Sequence, residues 1–330
     1  MQSAKKSKVL RLLEFSFAAF FMRWCSVLLS CACALAAVFI ATLHRDSDNS
    51  IIIMDILRKQ ASLRSVKGKP LGEMGLTAVI VGATGATGKF LVQELLLCDE
   101  KMVAKVITVG RRPVDGTMLK EEMIDEAASS GRLMQHTIDY EQQLLDSSKG
   151  DGRGSSFLDH YKGADVVFCV LGTTRGKAGS ADKFYRVDHD YVKATAILAA
   201  QAGVPHFSLL TSQGATRNMK FYSKWIHPTF YPKTKGDAEV SVLQAGFPRT
   251  SIFRPGLLKR ETPLGKRSER FGERVFSKIV PSLHVRDLAQ SMIIDAILGG
   301  GSETGTIVEG NRNVRNVAAQ VPQSRGESFN

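Results

Sequence analysis

Apolar residues in this chain gather in short, nearly continuous runs rather than in strict alternation. The runs fall at 77–81, 106–109, 164–171, 207–211 and 250–253, each closed by glycine or polar residues. Strands that are apolar on both faces are what a parallel sheet covered on both sides requires. Between them the spacing becomes helical: Phe90, Leu91, Leu95 and Leu96 share a face, and 191–202 repeats the pattern. A further strand is expected at 135–140. Helices are expected to open at Tyr231 and at Val285, the second with Asp287 in its first turn. Strands alternating with helices predict an α/β fold over 76–310 with a doubly wound parallel sheet and a small C-terminal substrate or lid region. Residues 147–156 and 311–330 are polar and are expected to be a loop and a flexible tail.

The first run ends in Gly82, Ala83, Thr84, Gly85, Ala86, Thr87 and Gly88, and a helical pattern follows at once. Strand, glycine-rich turn and helix together open a Rossmann-type dinucleotide-binding unit. Gly82 can leave the strand tightly, Gly85 lets the backbone approach a pyrophosphate, and Gly88 lets helix and sheet close up. The helix N-terminus adds unpaired N–H groups and a positive dipole end. The second strand ends in Gly110, Arg111 and Arg112, with no acid to hold ribose hydroxyls. Arginine there suits a 2′-phosphate, so NADP(H) is the expected cofactor. Asp139, after the third strand, is a positional candidate for the adenine. The fourth strand delivers Leu171, Gly172, Thr173 and Thr174 to the carboxyl edge of the sheet, where ligands of open α/β folds sit. Arg254 and Pro255 end the sixth strand and join the cofactor candidates.

Tyr231 and Lys235 lie four apart on one expected helix and therefore on one face. No other tyrosine in the chain has a lysine four residues on. A phenol of ordinary pKa ~10 exchanges protons poorly near neutrality, and a neighbouring ammonium favours its ionised form. Tyr231 is the candidate general acid/base, Lys235 its electrostatic partner and a ribose ligand, and Ser212, at the end of the fifth strand, the group that holds a substrate oxygen. The expected activity is oxidation or reduction of an alcohol/carbonyl pair on a small molecule or a lipid. A cofactor-binding scaffold or redox-responsive regulator is the alternative. No metal-ligand spacing appears.

The net charge of +12 raises the question of nucleic acid, but residues 1–70 supply +7 of it. The excess is largely N-terminal, so no nucleic-acid role is expected. The basic tail 1–23 precedes twenty uncharged residues, 24–43, long enough to span a bilayer. A transmembrane anchor is the preferred reading, with 44–75 as linker and the catalytic domain facing the cytosol from the mitochondrial outer membrane or endoplasmic reticulum. A cleaved signal peptide and a mitochondrial presequence are the alternatives. Residues 257–280 carry seven basic side chains amid apolar positions, a lid, a lipid-facing surface or a solvated helix.

With these residues in view, the chain resembles the Tat-interacting protein family of atypical short-chain dehydrogenases/reductases over about residues 76 to 310. The resemblance rests on 168–179, on Arg186-Val187-Asp188-His189-Asp190-Tyr191, and on Val109-Gly110-Arg111-Arg112. His206-Phe207 with Ser212, and Phe253-Arg254-Pro255-Gly256, extend it. It implies a Rossmann fold, bound NADPH and a Ser212, Tyr231, Lys235 catalytic set. The interval from Ser212 to Tyr231 is longer than the family's, which makes 221–230 a region that could reshape the substrate pocket. The apolar N-terminus is unlike the soluble animal members, whereas a fungal relative belongs to the mitochondrial outer membrane.

Overall fold

The computed structural model describes residues 75–148, 155–218, 227–259, 282–298 and 306–319. All of them fall in the second of the two units into which the chain divides, 52–330. Seven parallel strands form the sheet: β1 (Thr77–Val81), β2 (Lys105–Gly110), β3 (Leu133–Thr137), β4 (Val166–Cys169), β5 (His206–Leu210), β6 (Arg249–Arg254) and β9 (Thr306–Glu309). Their order is β3-β2-β1-β4-β5-β6-β9. Strand order reverses between β1 and β4, which opens the crevice where such sheets take ligands. A separate two-stranded ladder pairs β7 (Leu258–Lys259) with β8 (Leu283–His284).

The continuous apolar runs are explained by the two layers they feed. Along β1, Ala78 and Ile80 join Phe90, Leu91 and Leu95 of α1 (Gly88–Leu97) and Leu288, Met292 and Ile293 of α5 (Val285–Leu298). Val79 and Val81 face the other way, toward Tyr191, Val192 and Leu198 of α3 (Tyr191–Gln201). Successive strand residues point to opposite faces, so a doubly covered strand is apolar throughout. α1 and α5 are also joined by a polar link across their apolar layer. Buried Glu94 accepts from Arg286 at 2.6 Å and from the Gln290 amide at 3.0 Å. The remaining longer helices are α2 (Glu121–Ser129), α4 (His227–Gln244) and α6 (Asn311–Ala319). Cys98 and Cys169 are buried.

Three expectations change. The described residues form the parallel α/β sheet, and, against the expected transmembrane helix, no helix among them is long and apolar enough to cross a membrane. The expected anchor, 24–43, lies outside the described residues, as do most of the 257–280 lid segment and most of the 221–230 interval. The tail expected to fray from 311 instead begins with α6, where Val314 is fully buried and its carbonyl accepts from Ser291 of α5 at 2.9 Å. One buried valine per two turns is too sparse a signal to read as a helix without its partner. The third strand lies at 133–137, slightly upstream of 135–140, because Asp139 already caps the turn that follows, accepting from Glu141 and Gln142 N–H.

Phe168, fully buried in mid-sheet, is the most direct probe of this core. Phe168→Ala is expected to cost about 3–5 kcal/mol of stability. Urea unfolding of the two chains checks this.

Candidate active site

The glycine turn is shaped by contacts that leave no room for side chains. Gly82 has φ +97°, and its carbonyl accepts from Gly85 N–H at 3.0 Å. A Cβ on Gly88 would stand 2.2 Å from the Gly82 carbonyl oxygen, and one on Gly85 3.2 Å from it. A Cβ on Gly82 would press on the backbone of Val170 and Leu171 at 3.0–3.1 Å. The turn and the end of β4 therefore touch, and Thr84, Ala86 and Thr87 share one edge of the sheet with Leu171, Gly172, Thr173 and Thr174. Such a cradle, followed by a helix N-terminus, suits a pyrophosphate.

At the back of that edge is a residue that motif spacing did not single out. Between a short helix, Ala181–Tyr185, and α3 the chain makes a π-helical turn, Arg186–Asp190. The wider turn re-aims its side chains, and such turns cluster at functional sites. Inside it Asp188 is 1% exposed. One carboxylate oxygen accepts from Thr173 N–H at 2.9 Å, and the other is 2.7 Å from the Lys235 ammonium. A Cβ on Gly172 would lie 3.5 Å from both charged groups, an ordinary contact distance, so the strand end passes directly over the pair. Burial of Lys235 pulls its pKa down, but the charge of Asp188, then that of Tyr231, more than offsets it, and the net shift is upward. The ammonium stays charged inside the protein.

α4 supplies the rest. Tyr231, Lys235 and Glu239 fall at i, i+4 and i+8, one face of the helix. Glu239 is buried and accepts from the Thr211 hydroxyl at 2.6 Å and from Arg254 Nε at 2.9 Å. Arg254 also reaches Glu309 at 3.1 Å. The helix is thus pinned to the ends of β5, β6 and β9 one turn beyond Lys235. Ser212 follows Thr211 directly. Its loop is fixed by Gln213 N–H to Pro255 O at 2.8 Å and Thr216 N–H to Pro232 O at 3.0 Å, so it lies against the turn that carries Tyr231. The Ser212 hydroxyl is buried with no hydrogen-bond partner among the described residues, a cost that a bound oxygen would relieve. Tyr231 itself packs on Phe184, ring centres 5.7 Å apart.

Other candidates occupy different places. Arg111 and Arg112 are exposed at the end of β2, and the Arg111 guanidinium sits 5.6 Å from the centre of the Tyr140 ring. Asp139 is exposed and caps the turn that follows it, accepting from Glu141 and Gln142 N–H at 2.7 and 2.9 Å. Arg254 and Pro255 tie strand ends together instead of lining the cradle. Among the described residues no cluster of His, Cys, Asp or Glu could hold a metal.

The sheet order and the glycine cradle define a Rossmann-type fold of the dinucleotide-binding kind. No protein-family model matches the chain. Protein HTATIP2 of Rattus norvegicus is 35% identical over 203 residues, 62% of this chain and 71% of the relative. The mitochondrial protein fmp52 of Aspergillus niger is 30% identical over 206 residues, 62% of this chain and 76% of the relative. The chain belongs to the family of these Tat-interacting and FMP52 proteins. Among solved structures, a DesIV double mutant (dTDP-glucose 4,6-dehydratase) from Streptomyces venezuelae, with NAD bound, is 14% identical with a TM-score of 0.49, over 74% of this chain and 80% of that one.

Two substitutions probe the site. Asp188→Asn should leave a buried, unpaired ammonium and destabilise the chain by about 3–5 kcal/mol near pH 7. Without its countercharge Lys235 is ruled by burial, so its folded pKa drops below the unfolded ~10.4 and the variant gains stability as pH rises. The native pair has the opposite sign and weakens only as pH passes the raised value. The gap between the two unfolding curves should therefore narrow from pH 7 toward pH 10. Gly236→Ala would drive a Cβ to 2.2 Å from the Thr216 backbone. It should cost about 1–3 kcal/mol and, by displacing the Ser212 loop, impair turnover more than cofactor binding measured by titration.

Proposed function

We propose that this protein is an NADP(H)-dependent oxidoreductase that interconverts an alcohol and a carbonyl. The observation that carries the reading is the buried Lys235–Asp188 pair, one turn from Tyr231 and beneath the loop 171–174. A buried ion pair is expensive and adds little stability over apolar packing. Retaining one at a ligand edge supports a role in chemistry.

The residues fit a dinucleotide: glycines that a Cβ would block, a helix N-terminus behind them, and a buried ammonium within reach of a ribose. When bound, the nicotinamide supplies or accepts the hydride. The protein's own groups manage the proton and the geometry. The Ser212 hydroxyl donates to the substrate oxygen and holds it beside Tyr231. The Tyr231 hydroxyl gives its proton to that oxygen during reduction, or takes it during oxidation. Lys235 steadies the negative charge that appears on the phenol oxygen, and Asp188 keeps the lysine charged and in place. Thr173, bonded to the same carboxylate, links the cofactor loop to this assembly.

Arg111 and Arg112 support NADP(H) over NAD(H), because guanidinium forks match a phosphate and no acid follows β2. The names of the fungal relatives, mitochondrial FMP52 proteins, support placement in mitochondria; fractionation of cells carrying a tagged full chain tests this.

Tyr231→Phe is the decisive variant. It should keep NADPH affinity within about twofold while turnover on a carbonyl panel falls by about 100-fold or more. Unchanged turnover would remove Tyr231 from the mechanism. Tight NADPH binding by the native chain without turnover on any carbonyl would instead mark a cofactor-binding regulator.

A further inference from the structure

β2 ends at Gly110, and Arg111 leaves the carboxyl edge directly above a buried aromatic shelf. Tyr140, 4% exposed, donates its hydroxyl to Val109 O at 3.3 Å, which fixes the ring beneath the strand end. The Arg111 guanidinium carbon lies 5.6 Å from the ring centre. Tyr191 braces the ring edge-on, centres 5.0 Å apart and planes at 66°. The carboxylate beside this shelf is already engaged: Glu141 accepts from the Tyr191 hydroxyl at 2.5 Å and lies 3.7 Å from Arg186. Glu141 thereby meets Tyr191 and Arg186, and no ion pair joins it to Arg111 among the described residues.

We propose that Tyr140 is a specificity-determining positioning residue: it holds Arg111 over its ring at the end of β2 so that the guanidinium meets the 2′-phosphate of NADP(H) already oriented. An arginine on a ring face keeps its N–H fork clear for two parallel bonds to phosphate and has less rotamer freedom to lose on binding. The two arginines give the strand end its charge; the buried tyrosine gives one of them a direction. The inference rests on the NADP(H) reading above and specifies which side chain makes the preference effective.

The test is calorimetric titration of the full chain with NADPH, NADH and 2′,5′-ADP. Tyr140→Leu should weaken NADPH and 2′,5′-ADP by about two- to fivefold, the size of an exposed cation–π contact, and leave NADH unchanged. Tyr140→Phe, which keeps the ring and loses only the hydroxyl, should retain most of the native preference. Equal weakening of NADPH and NADH in Tyr140→Leu would reduce the tyrosine to a core residue and overturn the proposal, as would no change in either. Should Leu not fold at this position, Tyr140→Met carries the same comparison. Arg111→Ala separates the two levels. If it leaves the NADPH-to-NADH ratio untouched, the NADP(H) reading falls and the shelf with it. If it lowers that ratio while the non-aromatic variants do not, only the shelf falls.

Discussion

A lysine ammonium cannot stay charged in a protein interior without a countercharge, and the site is built around that constraint. Lys235 is 5% exposed. Left alone, it would shed its proton, because burial disfavours the charged form. Asp188 prevents this at 2.7 Å, and the same carboxylate accepts from Thr173 N–H. One buried group thus couples α4, the π-helical turn before α3 and the loop that ends β4. Each is a piece of the site, and none could shift by an ångström without leaving a charge or an N–H unpaired.

A second anchor makes that coupling rigid. Glu239 sits one turn beyond Lys235 and binds Thr211 and Arg254, the ends of β5 and β6. α4 is therefore held at two successive turns, once to the cofactor side of the sheet and once to the Ser212 side. The close crossing of the Ser212 loop over Gly236, where any side chain would collide with Thr216, completes the clamp. Tyr231 projects from the turn that precedes both anchors. Its position follows from theirs and from its packing on Phe184.

The opposite side of the crevice follows a different logic. The glycine turn holds its shape by excluding side chains: a Cβ on Gly88 would strike the Gly82 carbonyl, and one on Gly82 the backbone of Val170 and Leu171. Arg111, in contrast, is exposed, and its guanidinium lies over the ring of Tyr140. Steric exclusion shapes the glycine cradle, ion pairing ties α4 to the end of β4, and a cation–π contact lies at the end of β2.

Local sequence determined the features that depend on neighbours along the chain. Doubly apolar runs announced parallel strands, the spacing of Gly82, Gly85 and Gly88 announced the turn, and Tyr231 and Lys235 announced a shared helical face, because strand and helix periodicities are fixed by backbone geometry. Tertiary structure alone decided which distant groups meet. Asp188 and Glu239 read in the sequence as ordinary acids; only folding brings Asp188, 47 residues away, onto Lys235, and Thr211 and Arg254 onto Glu239, where burial turns each acid into a requirement. Arg254 and Asp139 show the converse. Both stood at plausible ligand positions by order along the chain, and both are taken by closer partners, Glu239 and Glu309 for one, a capped turn for the other. Position in sequence places a residue at an edge of the sheet. The competition among hydrogen-bond partners in three dimensions settles whether its side chain is left for a ligand.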